Sequence, residues 1–92
     1  MKEFQFQGKR VDDGVQPINA GDYCHFRFMN GQQMWLGTPP VEGIGVGCLD
    51  RMTITEHEDK TISVEELIQY NKNYPDMPQW KGYLKKGVWI EC

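Results

Sequence analysis

Apolar and polar residues alternate along much of this chain with the period of two that marks half-buried strands. Lys2 to Gln7 reads K-E-F-Q-F-Q and places Phe4 and Phe6 on one face. Tyr23 to Met29 alternates again, is followed by Asn30-Gly31, and returns as Gln33-Met34-Trp35-Leu36. Asn-Gly tolerates positive φ at both turn positions, which makes this stretch a hairpin. A two-residue turn pairs Phe28 with Gln33, and a turn one residue longer shifts the pairing and changes the buried face. A second hairpin is expected from Arg51–Glu56 and Thr61–Val64 around the polar run His57-Glu58-Asp59-Lys60. A third closes the chain: Trp80–Leu84 and Val88–Cys92 flank Lys85-Lys86-Gly87. Its rings and aliphatic side chains exceed what an isolated hairpin can bury, so they must pack on something earlier in the chain.

Between the second and third hairpins the pattern changes. Ser63 followed by Glu66 matches a capping box, and Glu65-Glu66 at the start suit a helix dipole, so a short helix is expected near 65–71. Asn71 to Gln79, with Pro75 and Pro78, reads as a loop, as do Gly8 to Gly21 and the stretch following Pro39-Pro40. The fold class is mainly β, bordering on α+β: antiparallel hairpins forming a small curled sheet or barrel, with one short helix. Residues 1–92 form a single globular domain.

Composition narrows the function classes. A hydrophobic fraction of 39% belongs to a folded chain, not a disordered tail. A net charge of −3 lacks the basic footprint of a nucleic-acid binder, and no nucleic-acid partner is expected. No apolar run approaches the ~18 residues of a membrane span, and no signal-peptide core stands at the N-terminus, so the protein is expected to stay in the compartment where it is made. Cys24, Cys48 and Cys92 are an odd set without a C-x-x-C pair, which reads as free thiols, with Cys24 and Cys48 half-buried and Cys92 exposed.

Candidate chemistry is sparse. Glu56, His57, Glu58 and Asp59 form the densest titratable cluster, suited to a divalent cation or to acid–base work, and equally to a solvated hairpin turn. Gly43 to Gly47 spells G-x-G-x-G, with no clear strand before it and no helix or lysine after it, so a close-packed or mobile loop is favoured over a phosphate cradle. Lys81, Lys85 and Lys86 beside Trp80, Tyr83 and Trp89 are too few for a single-stranded nucleic-acid platform. No catalytic residue, cofactor or metal ligand is assigned. The residues selected for contact with a partner are Glu56, His57, Glu58, Asp59, Trp35, Trp80, Tyr83 and Trp89, with the acids steering a basic surface.

Two segments carry a family resemblance. Thr55 to Val64, T-E-H-E-D-K-T-I-S-V, resembles the T-E-H-E-D-G-T-I-T-V stretch of a family of small phage and prophage proteins. Trp80 to Trp89, W-K-G-Y-L-K-K-G-V-W, resembles their closing W-H-G-Y-L-x-x-G-V-W, and Trp35-x-Gly37-Thr38-Pro39 followed by Leu49 is similar in placement. Lys60 replaces a glycine, Glu65-Glu66 a Pro-Ser pair, and Lys81 a histidine, so any chemistry of that histidine is lost here. The resemblance implies a phage origin. A non-enzymatic protein binding a host or defence protein in the host cytoplasm is the first expectation. A virion decoration or tail component, located in the virion, is the second. A small-molecule binder with a pocket lined by Trp35, Trp80 and Trp89 is the third, and an oligomer is compatible with all three.

Overall fold

The computed structural model describes residues 4–49 and 51–92. Lys2 and Glu3 of the first expected strand lie outside the described residues. Nine strands form among them: β1 (Phe4–Gln7), β2 (Lys9–Arg10), β3 (Asp22–Arg27), β4 (Gln33–Gly37), β5 (Gly47–Cys48), β6 (Ile54–Glu56), β7 (Ile62–Tyr70), β8 (Trp80–Lys85) and β9 (Val88–Glu91). They build a five-stranded sheet in the order β1-β9-β8-β7-β6 and a four-stranded sheet in the order β2-β3-β4-β5. Only β2 and β3 pair in parallel; the other recorded pairings are antiparallel. Mainly β is therefore the architecture, as two sheets and not as one curled sheet, and neither sheet closes into a barrel. No helix among the described residues is long and apolar enough to cross a membrane.

The three expected hairpins form, each with its own turn chemistry. Lys86 and Gly87, at φ 47° and 78°, make the two-residue turn between β8 and β9, the form whose twist matches antiparallel strands. The β3–β4 hairpin pairs Arg27 with Gln33, the longer of the two alternatives. Phe28 N–H donates to Gln32 O, Gly31 N–H donates to Phe28 O, and Gly31 takes φ 87°, which is a type I turn followed by a left-handed residue. The β6–β7 turn repeats this scheme: His57 N–H donates to Thr61 O, Lys60 N–H to His57 O, and Lys60 occupies the left-handed position at φ 74°. A lysine stands where glycine is the unstrained choice.

The helix expected near 65–71 is replaced by the nine-residue strand β7. Ile62, Val64 and Ile68 point into the core, and their burial outweighs the local helical preference of Glu65-Glu66-Leu67. The chain accommodates those residues in a register shift between Val64 and Ile68 opposite β8. Glu66 does act as a cap, but of a neighbouring strand: Thr53 N–H donates to Oε2 at 2.6 Å and Thr53 Oγ1–H to Oε1 at 2.6 Å. Those bonds hold the Glu66 carboxyl below its ordinary pKa.

The core lies between the sheets. Ile62, Val64, Ile68, Trp80, Leu84 and Trp89 face Tyr23, Ile44 and Leu49. Full burial of each aliphatic side chain is worth about 1.5–3 kcal/mol. Trp80 and Trp89 are 3% and 0% exposed and meet edge to face at 5.4 Å. Trp89 reaches across to the other sheet, where its indole Nε1–H donates to Gly21 O at 2.9 Å in a buried site. Tyr70 makes a second bridge: its hydroxyl donates to Gly37 O at 2.8 Å, and its ring covers Gly47 so closely that a Cβ there would lie 2.3 Å from Cε1. Gly47 thus belongs to a packed contact, and Ile44 beside it is buried. Burial raises the Tyr70 pKa far above its usual range, which keeps that hydroxyl a donor.

Two changes test this account by urea denaturation. Trp89→Phe removes the indole donor, leaves Gly21 O with the Lys9 N–H bond alone and puts a smaller ring in the core, and it is expected to cost about 1–3 kcal/mol. Lys60→Gly relieves the left-handed backbone and is expected to stabilise the protein by about 1 kcal/mol. A neutral Trp89→Phe or a destabilising Lys60→Gly would contradict the bonding and turn geometry described.

Candidate functional site

The sequence-selected residues fall into three separate places. Trp80 and Trp89 are core residues, so they are withdrawn as contact surface: a partner cannot reach rings packed against each other between two sheets. The same packing removes the pocket expected between Trp35, Trp80 and Trp89. Tyr83 lies on the outer face of the five-stranded sheet, half-buried. Glu56, His57, Glu58, Asp59 and Trp35 gather at one end of the molecule, around a residue that sequence reasoning had left in a loop, Arg10.

Arg10 organises that end. It sits on β2, immediately after the chain passes from one sheet to the other at Gly8. Its Nη1 donates to Glu56 Oε2 at 2.6 Å and to Lys60 O at 3.1 Å, and Nη2 lies 3.6 Å from Asp13 Oδ1. The guanidinium is 5.1 Å from the centre of the Trp35 ring, and His25 stacks on Trp35 at 4.5 Å with an interplanar angle of 9°. A planar cation with several donors suits this role, since it serves two acceptors and a ring at once. Arg10 therefore ties the β6–β7 turn to the four-stranded sheet.

The acids of the cluster are mostly engaged in holding the turn. Asp59 Oδ1 accepts from Thr61 N–H at 3.0 Å and from Thr61 Oγ1–H at 2.6 Å, and those bonds lower its pKa. Glu56 is held below its ordinary pKa chiefly by the Arg10 hydrogen bond, with Arg10, Lys60 and His25 adding favourable charge. His57 Nε2 lies 2.7 Å from Ser63 Oγ, which also accepts from Lys86 N–H at 2.9 Å. That hydroxyl links the β6–β7 turn to the β8–β9 turn. Glu58 extends from the turn into solvent. Among the described residues no group of three or more His, Cys, Asp or Glu side chains gathers where a metal ion could sit.

The cysteines differ in setting. Cys24 is fully buried, not half-buried, on the face of β3 away from His25, and its Sγ–H donates to Val15 O at 3.3 Å. Burial is the main cause pushing its thiol up to about 11, with Asp13 adding to it, so it is no thiolate at neutral pH. Cys48 is exposed where a half-buried position was expected, and Cys92 is exposed.

Two surface features were missed by the sequence reading. Phe28 and Met29, treated as strand residues, stand at the tip of the β3–β4 hairpin, with Met29 fully exposed and Phe28 packed only edge-on against Phe26. The Asn-Gly signal located that tip but gave no sign that its register would leave both side chains outside. Lysines of the last third of the chain also collect on one sheet face, as developed below. No protein-family model, no curated protein and no solved structure matches this chain. What fold and site define is an all-strand, two-sheet domain whose polar cluster serves mainly to hold its own turns.

The Arg10–Glu56 pair predicts an acid sensitivity with a definite sign. Glu56 has a folded-state pKa below its unfolded one, so its contribution is present above the unfolded pKa and is lost as pH falls through the folded value. Glu56→Gln is expected to be less stable than the parent near neutrality and to converge with it between about pH 5 and pH 3. Urea midpoints at several pH values check this, and a constant difference across the range would contradict it.

Proposed function

We propose that this chain is a phage-encoded accessory protein that acts without catalysis, by binding a host or defence protein in the host cytoplasm. The observation that carries the reading is the apolar tip of the β3–β4 hairpin. Met29 and Phe28 stand out from a domain that buries its tryptophans, and Val15 from the neighbouring loop is exposed as well. Exposed apolar side chains grouped on a rigid hairpin favour contact with another macromolecule. The phage origin rests on the resemblance of Thr55–Val64 and Trp80–Trp89 described above. Supporting the non-catalytic reading, His57, Glu56 and Asp59 are engaged in bonds that hold the turn, and the buried Cys24 thiol is held protonated.

Affinity capture of the tagged protein from phage-infected host lysate tests the reading. One host protein is expected to be enriched by the parent and reduced at least tenfold with Met29→Asp, while Glu58→Lys, in the β6–β7 turn, retains it. Recovery of capsid or tail proteins instead would make the chain a virion component and overturn the proposal. Equal capture by Met29→Asp would remove the hairpin tip as the contact.

A further inference from the structure

The five-stranded sheet has one face in the core and one in solvent, and its solvent face is basic although the chain as a whole is acidic. Along β8 the burial alternates strictly, with Trp80, Gly82 and Leu84 inward and Lys81, Tyr83 and Lys85 outward. Tyr83 pairs with Ile90 of β9, which pairs in turn with Gln5 of β1, so a half-buried aromatic and aliphatic row crosses the sheet between the two lysines. Lys85 Nζ lies 5.4 Å from the centre of the Tyr83 ring, which holds the ammonium over the sheet instead of letting it trail into solvent.

Open concavities flank this row toward the two ends of β8. One is lined by Lys72, Lys81, Gln69 and Gln79, with Glu91 beside them. The other is lined by Ser63, Tyr83, Lys85 and Lys86, with Glu65 beside them. Four lysines thus face two glutamates. Among the described residues none of these ammonium groups has a carboxylate within ion-pair distance, the recorded ion pairs being those of Arg10 with Asp13 and Glu56. Asp12, Asp13, Glu56, Glu58 and Asp59 lie elsewhere, on and beside the loop and turn that Arg10 joins.

We infer that this face binds an extended, acidic protein segment in which a carboxylate, an apolar side chain and a second carboxylate stand at alternate positions. In an extended chain, residues i, i+2 and i+4 share one face and span about 13 Å, the same spacing that separates Lys81 from Lys85 along β8. Such a segment sets its two carboxylates on Lys81 and Lys85 and its apolar residue on Tyr83 and Ile90. A nucleic-acid strand shares the negative charge but suits the face less well, because the overall charge of the chain repels a dense polyanion. The inference rests on the protein-binding reading and names the chemistry of a partner segment, at a surface distinct from the β3–β4 hairpin tip.

The test uses purified protein and a fluorescein-labelled synthetic peptide, Gly-Ser-Glu-Thr-Leu-Thr-Glu-Ser-Gly, read by fluorescence polarisation. Saturable binding is expected, weakened at least tenfold by the double change Lys81→Glu and Lys85→Glu and by replacing both peptide glutamates with glutamine. Both lysines are exposed, so the thermal midpoint of the double variant should match the parent, and Tyr83→Ala should weaken binding several-fold. Failure to bind, equal binding by the double variant, or tighter binding of an oligothymidylate of similar length would overturn the inference. Because no lysate is involved, these results are independent of the capture experiment: a host protein held through Met29 would leave the protein-binding reading standing even if this face proved inert.

Discussion

The Trp89 indole is the fully buried tether between the two sheets, with Tyr70 bridging them beside it. The indole N–H donates to Gly21 O, and its ring fills the space that glycines on two other segments leave open. A Cβ at Gly8 would lie 2.9 Å from Trp89 Nε1, and one at Gly37 would lie 3.0 Å from Cη2. The ring can cross the interface only because those positions carry no side chain. Gly8 is also where the chain leaves one sheet for the other, its N–H donating to Gly87 O at 2.7 Å. The closing hairpin, the β1–β2 crossover and the end of β4 at Gly37 therefore depend on the same side chain, and they would fail together.

That arrangement accounts for the distribution of polar chemistry. With two tryptophans, Tyr23 and Tyr70 committed to the interface, hairpin ends have to be held by polar contacts at the margins. Arg10 binds Glu56 and Lys60 O, Asp59 binds Thr61, Glu66 binds Thr53, and Ser63 joins His57 to Lys86 N–H. Each bond of this kind is modest in solvent. Together they hold the turns of the larger sheet, and the Arg10 bonds set one of those turns against the smaller sheet. A titratable cluster that looks like a reaction centre in sequence is thus used mainly as structural fastening.

The outer surfaces are what such a domain has left for recognition, and they differ in character. The β3–β4 tip offers Phe28 and Met29 with little charge, whereas the outer face of β8 offers lysines around a tyrosine. A basic sheet face and an acidic turn at separate places give the molecule a charge asymmetry that its net charge of −3 conceals. Electrostatic steering acts on such local fields as well as on the total.

By itself the sequence determined the elements with strong local signals. Period-two alternation marked β1, β3 and β6, aromatic and β-branched runs marked β8 and β9, and Asn30-Gly31 and Lys85-Lys86-Gly87 marked two of the turns, because backbone preference at those residues needs no distant partner. It did not determine β7 beyond Val64, since Ser63 and Glu66 satisfy a helix cap and a strand bulge equally well. Only the pairing of β7 with β6 and β8 chose between them. The division into two sheets, the role of Arg10 and the burial of Trp80 and Trp89 were likewise decided in three dimensions. Each depends on residues far apart in the chain, such as Trp89 and Gly21 or Arg10 and Glu56, whose meeting leaves no periodic trace in sequence. The basic face of β8 belongs with these cases: Lys85 was expected in the turn, and only the burial of Trp80, Gly82 and Leu84 set Lys81, Tyr83 and Lys85 together on the side in water.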